Sequence, residues 1–316
     1  MASPTTATPG PSTSRRSVSS VASTWPATPA RSTPASTASS TTSSRRSSTP
    51  RAWTYEGAAV ASTNILNEDD LQYLWLPLAH VFGKVLLTLP LQVGFPTAID
   101  GRIDKIVENL AVVKPTFMGA APRIFEKAYG RISTMMAAEG GVKAKLFGMA
   151  SEVGREVSVL REQGKNPSGM LSLKYSVTDK IIGTKIRDRF GGRIRFFISG
   201  SAALNNDIAR WFDAMGMQIL EGYGMTETSA ASFVARPRGY RYGTVGWPLP
   251  NTEVQIAADG EVLLRGPGNM EGYHNNPDAT AETIDSEGWL HTGDIGELDE
   301  RGFLRITDRK KDLFKT

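Results

Sequence analysis

From about residue 51 onward, apolar and polar positions alternate in short runs whose periods identify the elements. Residues 52–65 have helical spacing and lead into a polar loop, Asn67-Glu68-Asp69-Asp70. Residues 71–78 (LQYLWLPL) read as a short buried strand, and 80–93 (HVFGKVLLTLPLQV) as a mostly apolar helix closed by Gly94. Thr97-Ala98-Ile99 is a second short strand. Residues 104–113 start on an Asp, keep helical apolar spacing and stop just before Pro115, which marks another helix. Residues 116–120 (TFMGA) form a strand that leads through Pro122-Arg123 into a helix ending near Ala138. The stretch 139–190 is mostly helical by pattern, as in 143–163 and 171–190. Residues 193–199 (RIRFFIS) give a further strand, 200–204 a small-residue turn, 205–215 an amphipathic helix and 217–220 a buried strand. Strands alternating with helices predict an α/β fold with a mostly parallel sheet flanked by helices.

Beyond residue 240 the texture becomes β. Residues 253–256 and 261–265 (EVQI, EVLLR) flank Asp259-Gly260, a hairpin turn signal. A second hairpin runs from Glu297-Leu298 through Asp299-Glu300-Arg301-Gly302 to residues 303–306, and Trp289-Leu290-His291-Thr292-Gly293-Asp294 lies between the two. The layout expected is an α/β part over 51–240 and a smaller β-rich subdomain over 241–306.

Composition narrows the chemistry. The 316 residues contain no cysteine, which excludes disulfides, thiolate catalysis and cysteine-based zinc sites. The three histidines, His80, His274 and His291, show no metal-ligand spacing. Net charge is +4 and the pI about 9.2. Residues 1–50 hold five arginines and no Lys, Asp or Glu, so without them the remainder stands at −1. The body therefore carries no electrostatic footprint for nucleic acid.

Those first fifty residues are dominated by Ser, Thr, Ala, Pro and Arg and lack the apolar surface to offset the entropy of ordering, so disorder is expected. They contain no secretory signal, and the proline- and charge-interrupted run 71–99 is not a membrane span. The abrupt change of composition at Arg51 fits a coding region read out of frame; a mucin-like stalk or a phosphorylated linker fits the composition as well.

The candidate chemistry centres on Glu221-Gly222-Tyr223-Gly224-Met225-Thr226-Glu227-Thr228, which follows the buried strand 217–220. Its glycines let the backbone turn tightly and approach a ligand. Tyr223 offers a flat face for a base, Thr226 a donor for a phosphate oxygen and Glu227 a hard oxygen ligand for Mg²⁺. A second glycine-rich loop, Gly200-Ser201-Ala202-Ala203-Leu204, follows the preceding strand. Two such loops at successive strand ends fit a ligand crevice at the carboxyl edge of a sheet. Taken singly, each is a plain turn.

Five stretches in order, Leu76-Pro77-Leu78-Ala79-His80, residues 200–204, residues 221–228, Thr292-Gly293-Asp294 and Asp308-Arg309-Lys310-Lys311-Asp312, resemble the AMP-forming acyl-adenylating enzymes. Within that family the helical segment 123–190 looks like the long-chain fatty acid–CoA ligases. The resemblance covers about 51–316 and implies a cytoplasmic enzyme, with peripheral membrane contact to collect the fatty acid left open. It also implies ATP/AMP, Mg²⁺ and coenzyme A as ligands and a fatty acid as substrate. By position, Tyr223 would stack on adenine, with Gly200, Ser201 and Ala202 closely lining the other side. Glu221, Gly222 and Gly224 would complete the nucleotide loop, and Thr226 would hold an α-phosphate oxygen. Glu227 would bind Mg²⁺, Asp294 would accept the ribose hydroxyls, and Arg309 would add a cationic fork. His80 would stand between acyl pocket and carboxylate, and Lys311 would be the hinge within 307–316.

The reaction so implied joins a fatty carboxylate to the α-phosphorus of ATP and then passes the acyl group to coenzyme A. Neither half needs an enzyme nucleophile. The family's phosphate loop before Arg51 and its C-terminal domain after the hinge are not found in the chain, so the resemblance leads to the expectation of an incomplete, inactive ligase. A non-catalytic AMP or acyl-AMP binding module and a fatty acyl-AMP ligase relative are the alternatives.

Overall fold

The computed structural model describes residues 48–310; the tail before them and Lys311, the expected hinge, lie outside the described residues. Helix α1 spans Pro50–Ser62, with Thr49 as its N-cap accepting from the Ala52 N–H at 3.3 Å. Thr49 and Pro50, grouped above with the tail, thus belong to this helix. It stops at Ser62, three residues before the predicted end, because Asn64 turns into the left-handed region (φ 55°).

Strand β1 is only Gln72–Leu74, where the spacing predicts 71–78. The chain bends at Pro77, which has no N–H for a ladder and whose carbonyl accepts from the His80 N–H at 3.1 Å. Helix α2 (Val81–Val93) follows, capped by His80 and closed by Gly94 at φ 96°, as the sequence indicates. Next come β2 (Thr97–Ile99), α3 (Ile106–Val113), β3 (Phe117–Ala120) and α4 (Pro122–Glu139). The helical stretch continues as α5 (Gly141–Glu162), α6 (Gly169–Thr178) and, after one π turn, α7 (Thr184–Asp188). Then β4 (Phe196–Ser199), α8 (Asn206–Ala214) and β5 (Gln218–Tyr223) complete the α/β part.

These strands form one sheet in the order β2-β1-β3-β4-β5, all parallel. Two short antiparallel strands extend it, β6 (Phe233–Val234) and β7 (Trp247–Pro248). Successive residues alternate between two cores. Tyr73, Met118, Phe197 and Ile219 face a core shared with α3, α4, α5 and α8. Leu74, Phe117, Phe196 and Leu220 face a second core shared with α1 and α2. Both faces are covered, as a parallel sheet requires.

A polar clamp sets the lower edge of this sheet. Asp70 is 2% exposed and accepts from Thr116 Oγ1 at 2.5 Å, from Arg195 Nε at 3.0 Å and Nη2 at 2.5 Å, and from the Asn67 N–H at 3.0 Å. These partners precede β1, β3 and β4, so one carboxylate holds the starts of three neighbouring strands together.

The second sheet is antiparallel, in the order β11-β10-β9-β8, from β8 (Glu253–Ile256), β9 (Glu261–Arg265), β10 (Leu290–Leu298) and β11 (Leu304–Arg309). Both predicted hairpins are present. A short helix the pattern does not announce, α9 (Pro277–Thr283), links β9 to β10. The segment around β7 ties the sheets: the Val245 N–H donates to the Leu304 carbonyl at 2.8 Å, and Trp247 packs on Phe303 with ring centroids 4.2 Å apart. By strand pairing, the change of sheet falls after Pro248, later than the boundary at 240 read from texture. Among the described residues, no helix is long and apolar enough to cross a membrane.

Removing Arg195 would leave the buried Asp70 carboxylate without its counter-ion. Breaking a fully buried pair costs about 3–5 kcal/mol, and because the Arg195 side chain is 43% exposed we expect Arg195→Met to lose about 2–3 kcal/mol. Urea unfolding measures this; a change under about 0.5 kcal/mol would show that the clamp is dispensable. Burial raises the Asp70 carboxyl, but its hydrogen bonds outweigh that and hold it below its usual value, so this contribution is present at neutral pH and fades as pH falls through the acidic range.

Candidate functional site

The loops after β4 and β5 lie side by side because the two strands pair in parallel register, Ser199 opposite Glu221. Residues 200–202 leave one strand end, and Gly222-Tyr223-Gly224 close the other. A Cβ placed on Gly200 would stand 3.4 Å from the Phe82 ring and 3.6 Å from the Gly222 carbonyl. The two loops and the start of α2 therefore converge. Residues 221–223, expected in a turn, are the end of β5, because Gly222 and Tyr223 gain an antiparallel partner in Val234 and Phe233. The turn proper begins at Gly224, where a Cβ would lie 1.8 Å from the Ala230 carbonyl oxygen, so only glycine fits. Thr226, Glu227 and Thr228 then form one 3₁₀ turn, held by the Met225 N–H donating to Thr228 Oγ1 at 3.1 Å.

Tyr223 connects this edge to the second sheet, its hydroxyl donating to Asp294 Oδ2 at 2.8 Å. Asp294 is paired across β10 and β11 with Arg309, whose Nε lies 3.3 Å from Asp294 Oδ1. Three of the expected nucleotide residues are thus in direct contact, although 71 positions separate Tyr223 from Asp294. Thr292-Gly293-Asp294, which lies between the two predicted hairpins, is part of β10. Gly293 at φ 71° permits an irregularity there, and the Asp294 N–H is held by Thr292 Oγ1 at 3.1 Å. Burial, then the neighbouring Asp294 charge, pushes the Tyr223 hydroxyl well above the usual tyrosine range, so it stays protonated and a donor.

Glu227 is buried under the turn, and Tyr273 donates its hydroxyl to Glu227 Oε1 at 3.0 Å. Among the described residues, no group of three His, Cys, Asp or Glu side chains could hold a metal ion. One carboxylate fits Mg²⁺ only where substrate phosphates and water supply the rest of the shell. Thr226, half-buried, opens the same turn. His80 is exposed and caps α2, its Nδ1 accepting from the Phe82 N–H at 3.2 Å. That bond accounts for its position locally, and its nearest link to the site is the Phe82 ring beside Gly200. The apolar face of α2, Val85, Leu86 and Leu89, is occupied by core packing.

Two buried carboxyls support the loops. Glu221, 8% exposed, has an Oε1 with no protein partner, and burial pushes its carboxyl up to about 7 against the pull of the Leu204 and Gly243 N–H groups. Glu56 on α1 is fully buried and accepts from the Ala231 N–H at 3.0 Å through Oε2. Its Oε1 is unpartnered, and burial raises it to about 8. It steadies a loop in which Ser229 (φ 58°) and Ala230 (φ 131°) both take left-handed backbone. Sequence reasoning passes over Glu56, Tyr273, Glu261 and Lys310. A signal existed for Glu56, which shares a helical face with Ala52, Ala59 and Val60, all buried. The other three become visible only through long-range contacts.

Comparison with known proteins follows this geometry. The model of a family described as AMP-binding enzyme matches residues 48–274. The long-chain-fatty-acid–CoA ligase FadD15 of Mycobacterium bovis is 34% identical over 261 residues, covering 83% of this chain and 43% of its own. The putative fatty-acid–CoA ligase fadD11 of Mycobacterium tuberculosis is 36% identical over 263 residues, covering 82% and 46%. The chain thus spans less than half the length of these relatives. Among solved structures, o-succinylbenzoate coenzyme A synthetase of Bacillus subtilis in complex with its acyl-adenylate intermediate superposes with a TM-score of 0.60 at 20% identity, over 85% of this chain and 46% of that one. A malonyl-CoA ligase with methylmalonyl-CoA and AMP bound gives 0.57 at 28% identity, over 82% and 48%.

The two raised carboxyls carry a pH signature. Each holds its proton longer folded than unfolded, so stability falls as pH rises from about 4.5 through about 7 for Glu221 and about 8 for Glu56. We expect Glu221→Gln and Glu56→Gln each to flatten that decline, by an amount on the order of 3–5 kcal/mol at alkaline pH. Urea midpoints measured across this range check it, and slopes identical to the parent would count against ionisation of these groups.

Proposed function

Because the chain belongs to the AMP-binding enzyme family, we propose that it recognises the adenosine and α-phosphate of an acyl adenylate in a long-chain fatty acid–CoA ligase reaction. The observation that carries this reading is the Tyr223–Asp294–Arg309 constellation, assembled from two sheets with contacts of 2.8 and 3.3 Å. The Tyr223 ring offers its face to adenine at the sheet edge where Gly200, Ser201 and Ala202 leave room. Asp294 has acceptor capacity beyond its two present partners and takes the ribose hydroxyls. Arg309, three-quarters exposed, adds positive charge at the mouth. Thr226 reaches an α-phosphate oxygen. Glu227 would hold Mg²⁺ where it accompanies the nucleotide, and the ion would supply positive charge beside the phosphates.

In the reaction proposed, a fatty carboxylate oxygen forms a bond to the α-phosphorus of ATP and pyrophosphate leaves. The thiol sulfur of coenzyme A then bonds to the acyl carbon and AMP leaves with the carboxylate-derived oxygen. The residues named here bind and orient; none forms a covalent intermediate, in keeping with a chain without cysteine. Such chemistry rests on positioning and charge stabilisation. The names of the relatives support the fatty-acid substrate, and the ligands of the malonyl-CoA ligase support AMP and a CoA thioester.

Calorimetric titration with AMP tests the reading. Saturable binding is expected, weakened roughly 10- to 100-fold by Asp294→Ala and a few-fold by Tyr223→Phe, which keeps the ring and loses the hydroxyl. A long-chain acyl-sulfamoyl adenosine should bind more tightly than AMP. Absence of AMP binding, or an Asp294→Ala variant that binds as the parent does, would remove the basis for the proposal.

A further inference from the structure

We propose that Glu261 is the positioning residue for ribose recognition, holding Asp294 in place from an adjacent strand with Lys310 as its anchor; the inference rests on the reading of Asp294 above. Glu261 opens β9 directly after the Asp259-Gly260 turn and is 4% exposed. Its Oε1 accepts from the Gly293 N–H at 2.8 Å. Its Oε2 accepts from Lys310 Nζ at 2.9 Å and lies 3.2 Å from His291 Nδ1. A single buried carboxylate thus touches β10 on either side of Thr292 and the residue that follows β11.

The residues it holds are those that aim Asp294. Gly293 is the irregular point of β10, where regular ladder bonds to β9 are interrupted between His291 and Ile295. In that gap the Gly293 N–H takes Glu261 Oε1 in place of a backbone carbonyl. The Gly293 carbonyl in turn accepts from the Lys310 N–H at 2.8 Å, so both polar groups of this peptide neighbour belong to one network. Lys310 also donates to Asp259 Oδ2 at 2.7 Å, which fixes the ammonium between two carboxylates. Burial alone would raise the Glu261 carboxyl, yet its hydrogen bonds to Lys310, Gly293 and His291 hold it below the usual range, and it remains an acceptor at neutral pH. Asp294 leaves this fixed peptide with its N–H on Thr292 Oγ1, and Thr292 Oγ1 donates to the Val262 carbonyl at 2.7 Å, the residue next to Glu261. Loss of the Glu261 tie frees the Gly293 peptide, and the Asp294 carboxylate with it; Tyr223 then loses the acceptor of its hydroxyl, while its ring stays against Phe233 at 6.2 Å and keeps its face for adenine.

The test compares AMP with 2′,3′-dideoxy-AMP, which lacks both ribose hydroxyls. The parent chain should prefer AMP by roughly 10-fold or more, the yield of charge-assisted hydrogen bonds to Asp294. In Glu261→Leu this preference should shrink to about twofold or less, with 2′,3′-dideoxy-AMP bound nearly as in the parent, and Glu261→Gln, which keeps an acceptor, should restore most of it. Lys310→Met, at a half-exposed position, should reduce the preference by about threefold and decides the matter if the leucine variant does not fold. Equal weakening of both nucleotides, or an unchanged preference in Lys310→Met, would overturn the proposal and leave the Asp294 reading standing. A parent chain that binds both nucleotides alike would overturn both.

Discussion

Parallel strands have no hairpin to set their register, and here one buried carboxylate does it. Asp70 joins the residues that precede β1, β3 and β4, and a strand displaced by one position would carry each of its side chains to the opposite core. Phe117 and Met118, or Phe196 and Phe197, would then exchange faces. The strands are only three to six residues long, so what is fixed at the lower edge is still fixed at the upper one. Ser199 meets Glu221 there, and the two glycine-bearing loops leave the sheet at the same height.

The upper edge is only half of the candidate site; the remainder comes from the antiparallel sheet. Tyr223 reaches across to Asp294, and the bridging segment around β7 keeps the sheets in contact through Val245 and Trp247. Around this junction lie several buried acids, Glu56, Glu221, Glu227, Glu261 and Asp294, each with a different environment. Glu261 is ionised by its ammonium partner, while burial keeps Glu56 and Glu221 protonated well above the usual carboxylate range. The contrast follows from what each carboxylate faces: cations and N–H groups for Glu261, and a single N–H at Ala231 for Glu56.

Much of this was legible in the chain because it is local. The period-2 and helical patterns give the α/β order, the hairpin turn at Asp259-Gly260 and the helix cap at Gly94. The order of motifs gives Tyr223, Asp294 and Arg309 related roles only through the family resemblance; in the structure Asp294 touches both of the others. The misread positions share a cause. Glu221-Gly222-Tyr223 looks like a turn because glycine favours turns, yet a two-residue partner strand with no pattern of its own makes it a strand. Thr292-Gly293-Asp294, left without an element by the pattern because its glycine interrupts it, is a strand with one irregular peptide. The early end of β1 depends on a bend at Pro77 that the apolar run conceals. Glu261 carries no sequence signal, since an acid beside a hairpin turn is an ordinary feature of exposed surface, and Lys310 falls within a recognisable stretch, 308–312, that gives it no role of its own.

The close approach at Gly224 has a consequence for how such a chain can diverge. Its neighbour is a backbone carbonyl, at Ala230, so no compensating change of side chain elsewhere could make room for a Cβ. The obstruction is in the path of the main chain, and a second substitution cannot relieve it. Variation is thereby shut out of position 224, and the entry into the turn that carries Thr226 and Glu227 keeps its glycine. Change can enter the neighbouring α2 and the loop at 200–204, where the space beside Gly200 is bounded by the Phe82 side chain as well as by backbone.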